Sequence, residues 1–139
     1  MSAFNALNTA IYSTLSAGTA LTALLAGTTA IYNMQAPDGA TLPYCIFNMQ
    51  GGGDDNMTAH RTKSLVMFVR GYSSTSAARA GSIDAQIDAL LHNAVLSVSG
   101  WSNFWLAREE DMATAEVTEA GNTIWMAGGL YRLRIGKNP

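Results

Sequence analysis

The first sixty residues of this 139-residue chain contain no lysine and no arginine. The eight basic residues begin at Arg61, and ten acidic residues bring the formal charge of the chain to -2. A protein with this balance lacks the positive field that holds nucleic acids and anionic membrane surfaces. We therefore expect neither specific DNA binding nor membrane binding.

Long apolar runs and paired cysteines are also missing. Polar residues and glycines interrupt the Ala- and Leu-rich segment 3–31 well before the roughly 20 apolar residues that span a membrane. No basic residue precedes an apolar core as it would in a secretory signal, so the sequence predicts that the protein stays in the cytoplasm of the cell that makes it. The single cysteine, Cys45, lies in an apolar segment and is expected to be a buried thiol.

Charge of either sign is scarce. Charged residues make up 13% of the chain and hydrophobic residues 48%, whereas about a quarter of an ordinary soluble domain is charged. We expect some of this uncharged surface to contact another protein.

Apolar spacing predicts three helices. The first carries a stripe at three- and four-residue intervals, formed by Phe4, Leu7, Ile11 and Leu15. A second, shorter helix capped by Thr19 and carrying Leu21, Leu24 and Leu25 completes an N-terminal helical hairpin. A third helix begins after Thr75 or Ser76 and ends at His92, with Asp84 and Asp88 expected to face water.

Alternating apolar residues predict strands near residues 31–32, 44–49, 64–72, 96–98, 101–108, 112–118 and 124–135. The predicted fold class is α+β: a mostly antiparallel sheet with the N-terminal helical hairpin and the longer helix packed on one face. Residues 1–139 are expected to form a single domain.

Two glycine-rich segments stand out. Residues 51–56 are predicted to be a mobile tip between two strands, because three consecutive glycines are costly to order. A phosphate-binding loop would instead require a following lysine and a helix N-terminus, which the sequence does not supply. Gly128 and Gly129 are expected to kink or bulge the last strand where another backbone approaches closely.

No catalytic constellation emerges. Glu109, Glu110 and Asp111 could act as acid and base in a hydrolase, but adjacent carboxylates favour a solvated loop. His60 and His92 lack the neighbouring ligands of a metal site, so solvated or capping roles are expected. We therefore predict a protein that is not an enzyme and has no cofactor and no metal.

Aromatic residues cluster between positions 101 and 105. Trp101, Phe104 and Trp105 could form a platform for a ligand, but three aromatic residues in a small α+β domain are more often part of its core. We expect them to be buried.

The order of these parts resembles the tail completion protein family of long-tailed bacteriophages. The resemblance rests on a helix followed by a leucine-rich second helix, an Ile31-Tyr32 strand, a Pro43-Tyr44 strand, and a helix ending in Leu91-His92. A final strand then alternates leucine and arginine over residues 129–134.

This resemblance implies a structural virion protein at the neck end of the tail. It implies a ring of copies of this chain, six in number, that caps the tail tube, stops tube polymerisation and joins the tail to the head. The implied partners are the tail tube protein and the connector or stopper protein of the head, and DNA passes through the lumen without specific binding. Alternatives are another neck component and, from a different class, a small ligand-binding domain of the host.

We expect the assembly contacts in two segments. The candidates are Gly51, Gly52, Gly53, Asp54, Asp55, Asn56, Gly128, Gly129, Arg132 and Arg134.

Overall fold

A computed structural model describes residues 2–55 and 61–139. In chain order the elements are α1 Ala3–Ser16, α2 Thr19–Thr22, β1 Ile31–Asn33, β2 Tyr44–Asp55, β3 Thr62–Ser73, α3 Ala77–Leu91, β4 Ser97–Val98, β5 Trp101–Val117 and β6 Thr123–Lys137. None of the helices in these two ranges is long and apolar enough to cross a membrane.

Helix α1 contains the predicted stripe, and α3 begins and ends at the predicted residues. Ser2 and Ser76 cap α1 and α3, each accepting a hydrogen bond from the backbone N–H three residues later. Such caps satisfy amide groups that have no partner inside the helix. His92 ends α3 as predicted, and its Nδ1 accepts a hydrogen bond from the Arg108 N–H at 3.1 Å.

The second helix is shorter than predicted. It covers only four residues, and its N-cap is Gly18 rather than Thr19, without a side-chain cap. After it the chain turns toward the sheet, where the Ala26 N–H donates to the Pro43 carbonyl at 2.8 Å. Leu24 and Leu25 therefore follow the helix instead of belonging to it, and the helical hairpin is only partly formed.

Six strands form one sheet in the order β1-β2-β3-β6-β5-β4. The pairing of β1 with β2 is parallel, and the other four pairings are antiparallel. The sheet is thus mixed, and the expectation of a mostly antiparallel sheet is met only in part.

The core lies between the helices and one face of the sheet, and α3 packs on β3 and β6. Successive side chains of a strand point to opposite faces. In the two central strands, Met67, Val69, Tyr131, Leu133 and Ile135 point toward the helices and are buried. Cys45 belongs to this core, and burial raises the pKa of its thiol to about 12.

The prediction of a mobile tip at residues 51–55 is wrong. These residues continue β2, with Gly51 opposite Val66 and Asp55 opposite Thr62 on β3. The glycines are ordered because a neighbouring strand supplies hydrogen bonds along their whole length, a tertiary contact that composition does not reveal. Asn56 and His60 lie outside the described residues.

Candidate functional site

One face of the sheet is left uncovered by the helices. Its side chains are those that alternate with the core residues along β3 and β6, and most of them are partly exposed. They include Val66, Phe68, Arg70, Leu130, Arg132 and Arg134. We call this the open face. A surface that mixes aliphatic, aromatic and arginine side chains has the composition of a protein contact surface.

Three tyrosines extend the open face across β1, β2 and the end of β3. Tyr44 packs against Tyr32 and Tyr72, with ring centroids 5.7 and 5.5 Å apart. All three tyrosines are partly buried within the single chain, and burial raises the pKa of Tyr44.

Arg70 lies beside these rings. It donates a hydrogen bond from Nη2 to Asn48 Oδ1 at 2.8 Å, and its guanidinium carbon lies 6.0 Å from the Tyr72 ring centre. The Arg70 side chain is thus fixed against the open face by contacts within the chain.

A compact patch at one end of the open face combines aromatic rings and arginines. Phe104 and Trp105 are 60% and 52% exposed, and together with Glu109, Arg132 and Arg134 they line a shallow pocket. Arg132 donates from Nε to Glu109 Oε1 at 2.9 Å. We call Phe104, Trp105, Arg132 and Arg134 the aromatic–arginine patch.

The expectation of a buried aromatic cluster is correct for Trp101 and wrong for Phe104 and Trp105. The register between β5 and β6 shifts between Asn103 and Trp105, so the chain inserts an extra residue there. Such a bulge changes the face to which the following side chains point. Periodicity in the sequence does not locate the bulge, and this is why the exposed pair was missed.

Gly128 and Gly129 are buried within the sheet, paired with β3 on one side and β5 on the other. The predicted irregularity lies not in their strand but in β5, where the register shifts between Arg108 and Glu110. The predicted close approach is present: a Cβ added at Gly128 would lie 2.5 Å from the Val69 carbonyl oxygen. The same addition at Gly129 would lie 2.7 Å from the guanidinium carbon of Arg108. Both glycines make room for contacts inside the chain.

Arg108 is the polar centre of the helix-covered side. Its guanidinium binds Asp84 through two hydrogen bonds of 2.8 and 2.9 Å and also donates to Asp111, the Tyr131 hydroxyl and the Gly128 carbonyl. The hydrogen bonds with Asp84 are the largest of the effects that raise the pKa of Arg108. One side chain thereby ties α3 to β5 and β6.

This cluster was not predicted. Asp84 and Asp88 were expected to face water, but the Asp84 side chain is only 17% exposed and Asp88 accepts a hydrogen bond from the Tyr131 hydroxyl at 3.0 Å. The predicted solvated loop at Glu109, Glu110 and Asp111 is also wrong, since all three lie in β5, although their side chains are exposed. The spacing of two aspartates on one face of α3 was the available signal for a basic partner.

The end of the β2–β3 hairpin carries ion pairs. Asp54 accepts a hydrogen bond from Lys63 at 2.5 Å and lies 3.5 Å from Arg61. The hydrogen bond from Lys63 lowers the pKa of the Asp54 carboxyl. Side chains added at Gly51 or Gly53 would meet open space, so this end of β2 has an unobstructed surface.

Within residues 2–55 and 61–139, no group of three or more His, Cys, Asp or Glu residues could hold a metal ion. In the acidic cluster described above, the Arg108 guanidinium occupies the position between the carboxylates.

A comparison with protein families finds a match over most of the chain. The family described as "Tail completion protein gp17" matches residues 9–134. The chain belongs to this bacteriophage family. It is accordingly a structural protein of a phage-type tail, as the resemblance in its sequence indicated.

A solved structure has the same fold. A chain of the "Virion of native gene transfer agent (GTA) particle" superposes with a TM-score of 0.80 at 21% sequence identity, covering 97% of this chain and 98% of that chain. No curated protein matches the chain.

Proposed function

We propose that six copies of this chain form a ring on the neck end of a phage tail tube. The ring stops further polymerisation of the tube and presents a surface to the connector or stopper protein of the head. Membership in the tail completion family supports this role. The observation that carries it is the open face, since a sheet with one uncovered face of aliphatic, aromatic and arginine side chains is suited to contacts with other subunits.

The charge of the chain fits a ring through which DNA passes. Six copies with a formal charge of -2 each carry 6 × -2 = -12. A negatively charged lumen repels the phosphate backbone and lets DNA pass without binding. The proposed role is structural and requires no catalytic group, cofactor or membrane.

Disrupting the gene in the phage or prophage that carries it tests this role by electron microscopy of the lysate. We expect filled heads beside separate tails of irregular or excessive length. Separate tails of normal length would restrict the role to joining. Normal complete particles would contradict the proposal.

We also propose that residues 51–56 contact the tube or a neighbouring subunit. The first five of these residues are an ordered strand end, so the contact does not require them to fold on binding. Lysine substitutions at Gly51 and Gly53 should fold normally because neither position meets a neighbouring atom within 4 Å. We expect them to reduce the yield of complete particles, since a contact surface there would have to bury two added charges.

Gly81→Lys is the matched control, because its added side chain also meets open space but lies on α3. Normal yields from the Gly51 and Gly53 variants would remove this strand end from the assembly surface.

A further inference from the structure

The β5–β6 hairpin carries opposite charges at its two ends. Between Arg108 and Arg132 the sequence holds five carboxylates and no lysine or arginine. Two of them, Glu116 and Glu119, lie at the turn, are exposed and form no ion pair with the described part of the chain. We call residues 116–122 the acidic hairpin end.

The opposite end carries the aromatic–arginine patch. Arg134 is exposed, and its guanidinium binds no carboxylate within residues 2–55 and 61–139. Glu109 offsets only Arg132, so the patch keeps an unneutralised cation beside two exposed aromatic rings. Tryptophan and arginine are the residue types that most often dominate the energy of protein contacts.

The two ends cannot meet within one chain. Arg134 pairs with Trp105, whereas Glu116 pairs with Ile124. Arg134 lies ten positions after Ile124 along the continuous strand β6, which corresponds to about 33 Å at 3.3 Å per residue. If the two ends pair with each other, they must therefore belong to two different molecules.

We propose that the acidic hairpin end of one copy of this chain binds the aromatic–arginine patch of the next copy. A contact between two different surfaces of identical subunits leaves one of each free on the pair, so it propagates until a ring closes. This pairing deepens the proposed function, and its place in a ring rests on that function. Opposite charge and exposed aromatic rings are the reasons for placing a second copy of this chain on the patch.

Exchanging the charges of the two ends tests the pairing. The gene for this chain is disrupted in the phage or prophage, and variants are supplied from a plasmid. Arg134→Glu alters the patch, and Glu116→Arg with Glu119→Arg alters the hairpin end. Each should lower the count of complete particles by at least about tenfold, because like charges would face each other. The variant that carries all three substitutions should restore the count.

Asp38→Arg is the matched control, since Asp38 is an exposed carboxylate in the loop before β2. Its yield and the melting temperatures of all variants should match those of the unaltered protein. Normal yields from the single-end variants, or failure of the triple variant to restore a lost yield, would overturn the pairing. The second result would assign the two ends to different partners.

Chemical cross-linking separates this inference from the proposed function. Cys45 is buried, so cysteines introduced by Glu119→Cys in one protein and Arg134→Cys in another are the accessible thiols. A short bismaleimide should join the mixed proteins into heterodimers and leave each protein alone mostly uncoupled. Heterodimers would support the pairing even if gene disruption left particles normal, and their absence would overturn it.

Discussion

The two faces of the sheet are made from the same strands, but their side chains differ. In β3, Met67 and Val69 are buried under the helices, whereas Val66 and Phe68 point the other way and stay partly exposed. In β6, the buried Leu133 is flanked by arginines that reach the open face. Alternate residues of one strand therefore differ in role: one set stabilises the subunit, and the other forms the partly exposed open face.

The largest difference between the faces should appear when leucines of the same strand are truncated. Leu133→Ala removes a fully buried side chain and should lower the free energy of unfolding by about 2–5 kcal/mol. Leu130→Ala on the open face should cost about 1 kcal/mol or less, because its site is already in contact with water. Urea unfolding of both variants measures the contrast, and equal losses would show that the open face is also a core surface.

Removing an arginine should also cost more stability on the helix-covered side than on the open face. Arg108→Ala leaves Asp84 without its cation in a mostly buried position and should cost about 2–4 kcal/mol. Arg132→Ala breaks an ion pair that is much more exposed and should cost no more than about 1 kcal/mol. Thermal and urea unfolding test this, and a small loss at Arg108 would mean that the cluster does not hold α3 to the sheet.

Alanine substitutions at two glycines should change the free energy of unfolding by smaller amounts and in opposite directions. Gly128→Ala places a methyl group against the backbone of β3 and should cost about 1–3 kcal/mol. Gly81→Ala lies in α3, where nothing opposes the added atom, and should raise the free energy of unfolding by about 0.5–1 kcal/mol. Similar values for the two alanines would refute the close strand approach at Gly128.

The smallest difference in stability should come from the aromatic–arginine patch. Trp105→Ser should lower the free energy of unfolding by only about 1 kcal/mol, since half of the residue is exposed. The same change should sharply reduce the yield of complete particles in complementation. Val95→Ser, at another exposed apolar residue, should leave both unchanged. An unaltered yield from the Trp105 variant would remove the patch from the assembly surface.

Local patterns in the sequence predicted the elements that local interactions define. The stripe through Leu7 and Ile11 and the serine cap at Ser76 located α1 and α3, and alternation located the central strands. The gap between the strands predicted at 112–118 and 124–135 also matches the turn between β5 and β6. These features depend on spacing and capping within about one element.

The missed features depend on contacts between distant residues. The glycines of β2 are ordered by pairing with β3, and the bulge that exposes Trp105 is a property of two strands in register. Arg108 is separated by more than 20 positions in the sequence from the aspartate that binds it. The contact role expected of Arg132 and Arg134 stays a prediction, and the structure shows the aromatic rings of Phe104 and Trp105 beside them.

We propose that this chain closes the neck end of a tail and that other subunits bind its open face. Cryo-electron microscopy of complete particles, with the tail and neck reconstructed together, can test this proposal. We expect one ring of this fold between the last tube ring and the head connector, with the aromatic–arginine patch buried against a neighbouring copy. Density for the chain along the tube, or a ring in which this patch faces solvent, would contradict it.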